Sequence, residues 1–360
     1  ALAKVAAPYP NALHISHIRD ESSYDVGVLG AVKELIEVEG MPHTLGSRSR
    51  VGRTGLRDAT VVSRLRQAGA ILLGVTNVPE WGMWFESYNG VYGRTSNPHD
   101  VRHTPGGSSG GEGAVVGAGG SVFGIGSDIG GSVRMPAAFC GVYGHKPTAG
   151  MLPLTGHYPV YAQGPDAGTP KTAPYVSIGT LTRSAADIAP LMRVMAGRDG
   201  FDPNAEPVAL HDPGRVDWRG RRVLLLPNPA IRRAASARPD IAAAVTDAGR
   251  LLEERGAIVS EAPERLLEHA GDVWFAALQG VGGPAFSEIL TDGRGMFLEL
   301  EVLRSAAAEL TEHYGTDGDL RMDEKELVTN QYGRFEADPQ NNANGFLWAL
   351  DNRMYTAGQA

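Results

Sequence analysis

Cysteine is almost absent from this chain: Cys140 stands alone among 360 residues, so no internal disulfide can form. That scarcity fits a reducing compartment, and a cytoplasmic location is the expectation. No apolar run is long enough to cross a bilayer. The first residues, ALAKVAAPYPNALHIS, lack the apolar core of a signal peptide. Basic tracts are missing too, and the net charge of −8 argues against nucleic acid as a partner. No H-E-x-x-H or C-x-x-C occurs, and His43, His145 and His157 are scattered, so neither a metal nor another cofactor is expected. Lysine is also scarce, five against twenty-eight arginines. The preference matters because a buried lysine can lose its proton and an arginine cannot.

Glycine is in excess, at 47 residues, and it concentrates between 104 and 150. The remainder reads as ordinary α/β protein. DATVVSRLRQAG (58–69) has helical spacing, with Asp58 as N-cap and Val61, Val62, Leu65 and Ala68 on one face. AILLGVT (70–76) reads as a buried strand, and SVFGIGS (121–127) and RVLLLP (222–227) read as two more. SAADIAPLMRVMAG (184–197) opens on Ser184 as cap, with Asp187 three residues on, and closes at Gly197. Residues 239–261 read as a helix followed by a strand. This alternation predicts a layered α/β fold. The stretch 200–217, rich in Pro, Asp and Gly, is a loop and a candidate subdomain boundary; beyond 270 the pattern is mostly helical.

The segment TPGGSSGGEGAVVGAGG (104–120) admits three readings. A flexible linker would carry little apolar sequence, yet this one runs into AVVGAGGSVFGIG. A phosphate cradle would use its backbone N–H groups, but G-x-x-x-x-G-K-[ST] is missing and GIGSDIGG departs from G-x-G-x-x-G. A frame around a reactive serine needs a nucleophile, a base and an oxyanion site. GGSSGG matches G-x-S-x-G at both Ser108 and Ser109. A second small-residue cluster, SDIGGSVRMP (127–136), places Gly130 and Gly131 directly before Ser132. Two glycines let the backbone approach a substrate and aim successive N–H groups at one point. Lys33 ends VGVLGAV, which reads as a buried strand. A solvated surface lysine is the ordinary role, but burial would make Lys33 a neutral general base. Cys140, within AAFCGVYG, reads as a buried inert thiol.

Taken together, PGGSSGGEGAVVGAGGSVFGIGSDIGGSVRMPAAFCGVYGHKPTAG (105–150) resembles the signature of the amidase signature family. TNVPEWGMWFESYNGVYGRTSNPHD (76–100) is most similar to the second type of its fatty acid amide hydrolase branch. The likeness is close over 27–200 and general over 200–300. It implies a mixed β-sheet flanked by helices on both faces, incomplete at the C-terminus. Residues 1–360 would form one domain, with a catalytic core at 27–200 and a variable helical region at about 200–360.

The resemblance also implies a Ser–cis-Ser–Lys triad of Ser132 as nucleophile, Ser108 as bridge after a cis Gly107–Ser108 bond, and Lys33. It places the oxyanion stretch on Ile129, Gly130, Gly131 and Ser132. Ser109 and Asp128 would support the triad, and Asp128 would either pair with Arg134 to hold the loop or form a solvated ion pair. Gly82 and Met83 open GMWFESY (82–88), which either lines the substrate pocket or packs the core. The implied activity is hydrolysis of linear amides, or of esters or carbamates, with an apolar acyl group, through an acyl-enzyme. Two other functions stay open: a glutaminase-type subunit of a tRNA-dependent amidotransferase, needing partner chains, and a non-catalytic Gly-rich anion-binding protein. A small-molecule amide is the expected partner, and a homodimer is left open. Leu29 stands where the family has proline, HISHIRDESSYD (14–25) does not resemble it, and FLWALDNRMYTAGQA ends before the family's closing strands.

Overall fold

The computed structural model describes residues 28–158 and 175–274, apart from 233 and 235. The helical reading beyond 274, and the segment before residue 28, lie outside the described residues. Among the described residues, five strands form a mixed sheet: β1 (Val28–Lys33), β2 (Ala70–Thr76), β5 (Phe123–Asp128), β6 (Tyr143–His145) and β7 (Ser177–Thr182). Their order across the sheet is β2-β1-β5-β7-β6. β1 runs parallel to β2 and β5, whereas β7 is antiparallel to β5 and β6. A short antiparallel pair, β3 (Tyr88–Asn89) and β4 (Gly93–Arg94), stands outside this sheet.

AILLGVT forms the predicted strand but not a fully buried one. Among the described residues β2 is an edge strand, and Ile71 is about half exposed. The central strand is β5, buried along its whole length. Helix α1 (Thr60–Gln67) buries Val61, Val62 and Leu65, as its periodicity requires. Asp58 is not its cap, because the helix begins one residue later and Ala59 takes that place. The Asp58 carboxylate instead accepts from the Glu39 N–H at 2.9 Å and pairs with Arg66 at 2.8 Å. Ser184 does cap its segment, accepting from the Ala186 N–H at 3.2 Å, and α4 (Ile188–Met195) follows.

Residues alternate between the two faces of the sheet. On one face, Val32, Phe123, Ile125 and Ile178 pack with α1 and with Leu191, Met192 and Met195 of α4 to form the main core. The other face is covered by α2 (Gly110–Gly117) and α3 (Arg134–Cys140), where Val133 and Ala137 meet Leu181. Glycine costs a helix about 1 kcal/mol per residue relative to alanine, yet α2 contains four, at 110, 111, 113 and 117. Close packing offsets that cost. A Cβ on Gly113 would lie 3.0 Å from Pro136, and one on Gly126 of β5 would lie 2.6 Å from Ser109 Oγ. The glycine-rich segment is thus a close-packed helix and strand rather than a linker.

The described chain divides into two compact units after Leu210, within the predicted 200–217 loop. The second holds β8 (Arg222–Leu225), α5 (Pro239–Glu253) and β9 (Ile258–Glu261), with β8 parallel to β9 and Gly249 of α5 against Leu225. Among the described residues no helix is long and apolar enough to cross a membrane.

Candidate active site

Lys33 is the last residue of β1, and its side chain turns into the α2 face of the sheet. It is 1% exposed. Its Nζ donates to Ser108 Oγ at 2.7 Å and to the Ser127 carbonyl at 3.2 Å. Burial pushes its pKa down to about 7, although Asp128 and Glu112 both pull it upward. A neutral fraction is therefore present near neutral pH, as a general base requires.

Ser108 lies in the turn that leads into α2, and the Gly107–Ser108 peptide bond is cis. The first N–H groups of a helix lack partners within it. Here neighbouring segments supply them: Ser87 Oγ accepts from Gly110 N–H at 2.9 Å, and the Asn77 carbonyl accepts from Gly111 N–H at 3.2 Å. Ser109 is fully buried and ties the serine turn to β5. Its Oγ donates to the Ser127 carbonyl at 3.3 Å, and its N–H donates to the Ser132 carbonyl at 3.1 Å. The two serine loops are thereby held side by side.

The second loop is organised by Asp128 at the end of β5. Its buried carboxylate accepts from the N–H groups of Gly131 (2.8 Å), Val133 (3.1 Å) and Arg134 (3.3 Å). Arg134 closes on it with two further bonds of 3.0 Å. Burial raises the Asp128 pKa, but Arg134 and the Gly131 and Val133 N–H groups outweigh it, so the net direction is downward. Between the two expected roles of this pair, the geometry is that of a loop clamp. It also supplies the N-terminus of α3 with acceptors, since Val133 at its N-cap makes no side-chain cap.

Ser132 sits inside this turn and is nearly buried. Its neighbours Ile129, Gly130 and Gly131 are partly exposed. The Gly131 N–H is spent on Asp128, so it is not offered to a ligand in this state. Ser108 and Ser132 share no hydrogen bond among the described residues.

GMWFESY lies beside the serine turn and is unevenly buried. Gly82 has a φ of 69°, and a Cβ there would press on Leu35 and lie 3.6 Å from Ser108 Oγ. Gly82 therefore borders the serine turn. Met83 is 48% exposed, and Trp84 and Phe85 are partly buried. Glu86 is buried, with no partner for Oε1, and burial pushes its pKa up to about 8. The preceding Trp81 packs in a small core with Leu35, Leu45, Val78 and Tyr158.

Two groups near Lys33 carry no sequence signal that singles them out. Glu112 of α2 is fully buried within electrostatic reach of Lys33. His157 is buried too; burial first, then Lys33 and His43, lowers its pKa to about 3, so its ring stays neutral. Cys140 is a buried thiol pushed up to about 12 by burial, which matches the inert role expected. No group of three His, Cys, Asp or Glu side chains suited to a metal ion occurs among the described residues.

A mixed sheet between helical layers, with a buried lysine reaching a cis-linked serine turn, is the architecture of amidase-signature enzymes. A glutamyl-tRNA(Gln) amidotransferase subunit of Thermotoga maritima superposes with a TM-score of 0.61 at 27% identity, covering 82% of this chain and 62% of that one. The Amidase family model matches residues 12–311, and the chain belongs to this family. The match takes in HISHIRDESSYD, so the likeness reaches further upstream than the motifs indicated. Human fatty-acid amide hydrolase 2 is 46% identical over 172 residues, 48% of this chain and 31% of that protein. Fatty-acid amide hydrolase 2-A of Danio rerio is 37% identical over 275 residues, 74% of this chain and 49% of that protein. The chain thus spans half or less of the length of these curated relatives.

Proposed function

We propose that the chain hydrolyses amide bonds through an acyl-enzyme, with Ser132 as nucleophile, Ser108 as proton bridge and Lys33 as base. The observation that carries this reading is the 2.7 Å hydrogen bond between a buried lysine and the serine of the cis-linked turn. Neutral Lys33 takes the Ser108 proton as Ser108 takes that of Ser132. The Ser132 oxygen attacks the substrate carbonyl, and the Gly130 and Ser132 N–H groups, which the Asp128 clamp does not use, are the proposed donors to the developing oxyanion. Lys33 then returns its proton through Ser108 to the departing nitrogen, because an amine leaves poorly until protonated. The acyl ester on Ser132 is cleaved by water over the same relay. The missing Ser108–Ser132 contact is the link that substrate closes, since catalytic hydrogen bonds often tighten only in the complex.

The proposed substrate is an amide with an apolar acyl group, with esters and carbamates as further candidates. The apolar run Met83, Trp84 and Phe85 supports this, because Gly82 before it borders Ser108 and the backbone of Trp84 and Phe85 packs against Gly107. A second reading, a glutaminase-type subunit passing ammonia to partner chains, draws on the likeness to the Thermotoga protein. Acyl anilides of increasing chain length separate the two. Each buried methylene contributes about 0.8 kcal/mol, or roughly fourfold in kcat/KM. The apolar reading expects kcat/KM to climb along the series and to exceed that for glutamine. A flat series with glutamine preferred would favour the glutaminase.

A further inference from the structure

Glu112 is an acid in a place that does not call for one. It lies in the glycine-rich first turn of α2, fully buried against the sheet. Its Oε1 accepts from Thr76 Oγ1 at 2.7 Å, and its Oε2 has no hydrogen-bond partner. Thr76 pairs directly with Lys33 across β1 and β2, so their side chains share a face. Gly124 of β5 leaves the room that Oε2 occupies; a Cβ there would overlap it. Three elements therefore converge to set a carboxyl group beside the lysine.

The surrounding charges leave Glu112 little else to act on. Asp128 is answered by two bonds from Arg134. Glu34, next in the chain to Lys33, is spent on the Thr44 N–H, Thr44 Oγ1 and Tyr92 Oη. His157, within electrostatic reach of Lys33, is a neutral ring. Lys33 is the cation that acts on Glu112. A glutamine would fill the same volume, so packing alone gives no reason for an ionisable group.

We propose that Glu112 is a positioning residue that governs how strongly Lys33 holds its proton. The inference rests on the reading of Lys33 as the base. Burial pushes Glu112 up and Lys33 down, while the charge of each favours the ionised form of the other, so the two titrate in overlapping steps that belong to the pair. When Glu112 is ionised it holds the proton on Lys33; when Glu112 is protonated that hold is released.

The test is a titration that needs no turnover. The full chain, labelled with 13Cε-lysine, gives five side-chain signals, and loss of one in Lys33→Met assigns Lys33. In Glu112→Gln the Lys33 midpoint is expected to fall by about one pH unit or more, the usual reach of a neighbouring charge. Thr76→Val keeps the carboxyl but frees Oε1, so Glu112 protonates more readily and the midpoint falls by less. Should Glu112→Gln not fold, this second variant decides. An unmoved midpoint in the folded variant overturns the inference, whatever the activity. A midpoint that moves while the acid limb of kcat/KM stays in place supports the Lys33–Glu112 coupling and overturns Lys33 as the base.

Discussion

Lys33→Arg is expected to lower kcat/KM by about 10²–10⁴-fold, no better than Lys33→Ala. Arginine keeps the positive charge and much of the length. It cannot give up its proton near neutral pH, so a guanidinium at this position could not open the relay. The wild-type rate should rise with pH through about 7, where burial has moved the Lys33 pKa, because the protonated form below that pH has no lone pair to offer. A structural lysine would behave differently. Its arginine variant would keep near wild-type rates, with the acid limb unchanged. Steady-state rates from about pH 5 to 9 on purified, folded variants check this, since the range brackets the midpoint. Most of the activity surviving in folded Lys33→Arg would mean that the relay starts elsewhere.

Asp128→Ala should cost both stability and activity. The wild-type carboxylate satisfies three loop N–H groups and two bonds from Arg134. Arg134 is about half exposed and can turn to water. Val133 is buried and Gly131 partly so, and a buried donor left alone costs about 1–3 kcal/mol. A loss of about 3 kcal/mol at neutral pH is expected from these donors, along with misplacement of Ser132. The sign of the pH dependence follows from the lowered Asp128 pKa. Its contribution is fully present above the unfolded value of about 3.9 and fades as pH falls through the lower folded value. Urea melts at about pH 7 and about pH 3 should therefore show a difference between wild type and variant that shrinks in acid. A difference of equal size at both would assign the loss to packing.

Local pattern carried much of the fold. The run before Lys33 reads as a strand because it is apolar up to a single lysine, and α1, β2, α4 and α5 follow their periodicity. What local pattern lacks is strand order. AILLGVT has the same composition whether central or peripheral, and its edge position among the described residues depends on which strands pair with β1. Asp58 misses the cap by one residue, a shift that its bond to the Glu39 N–H decides. In the site, two glycines before a serine mark Ser132, but Ser108 and Lys33 are matched mainly by resemblance. Glu112 is illegible for a physical reason. An acid in a helix is ordinarily solvated, and only packing against Gly124 of the neighbouring strand buries it.

The most direct measurement is labelling of the folded chain with a serine-reactive fluorophosphonate, followed by peptide mapping. The label should fall on Ser132 and leave Ser108 and Ser109 unmodified. Ser132 lies within the 129–132 stretch proposed to hold the charged oxygen of the adduct. Ser109 is fully buried and bonded to the Ser127 carbonyl, and Ser108 is held by Lys33. Modification confined to Ser108, with Ser132 untouched, would contradict the relay and the assignment of its nucleophile.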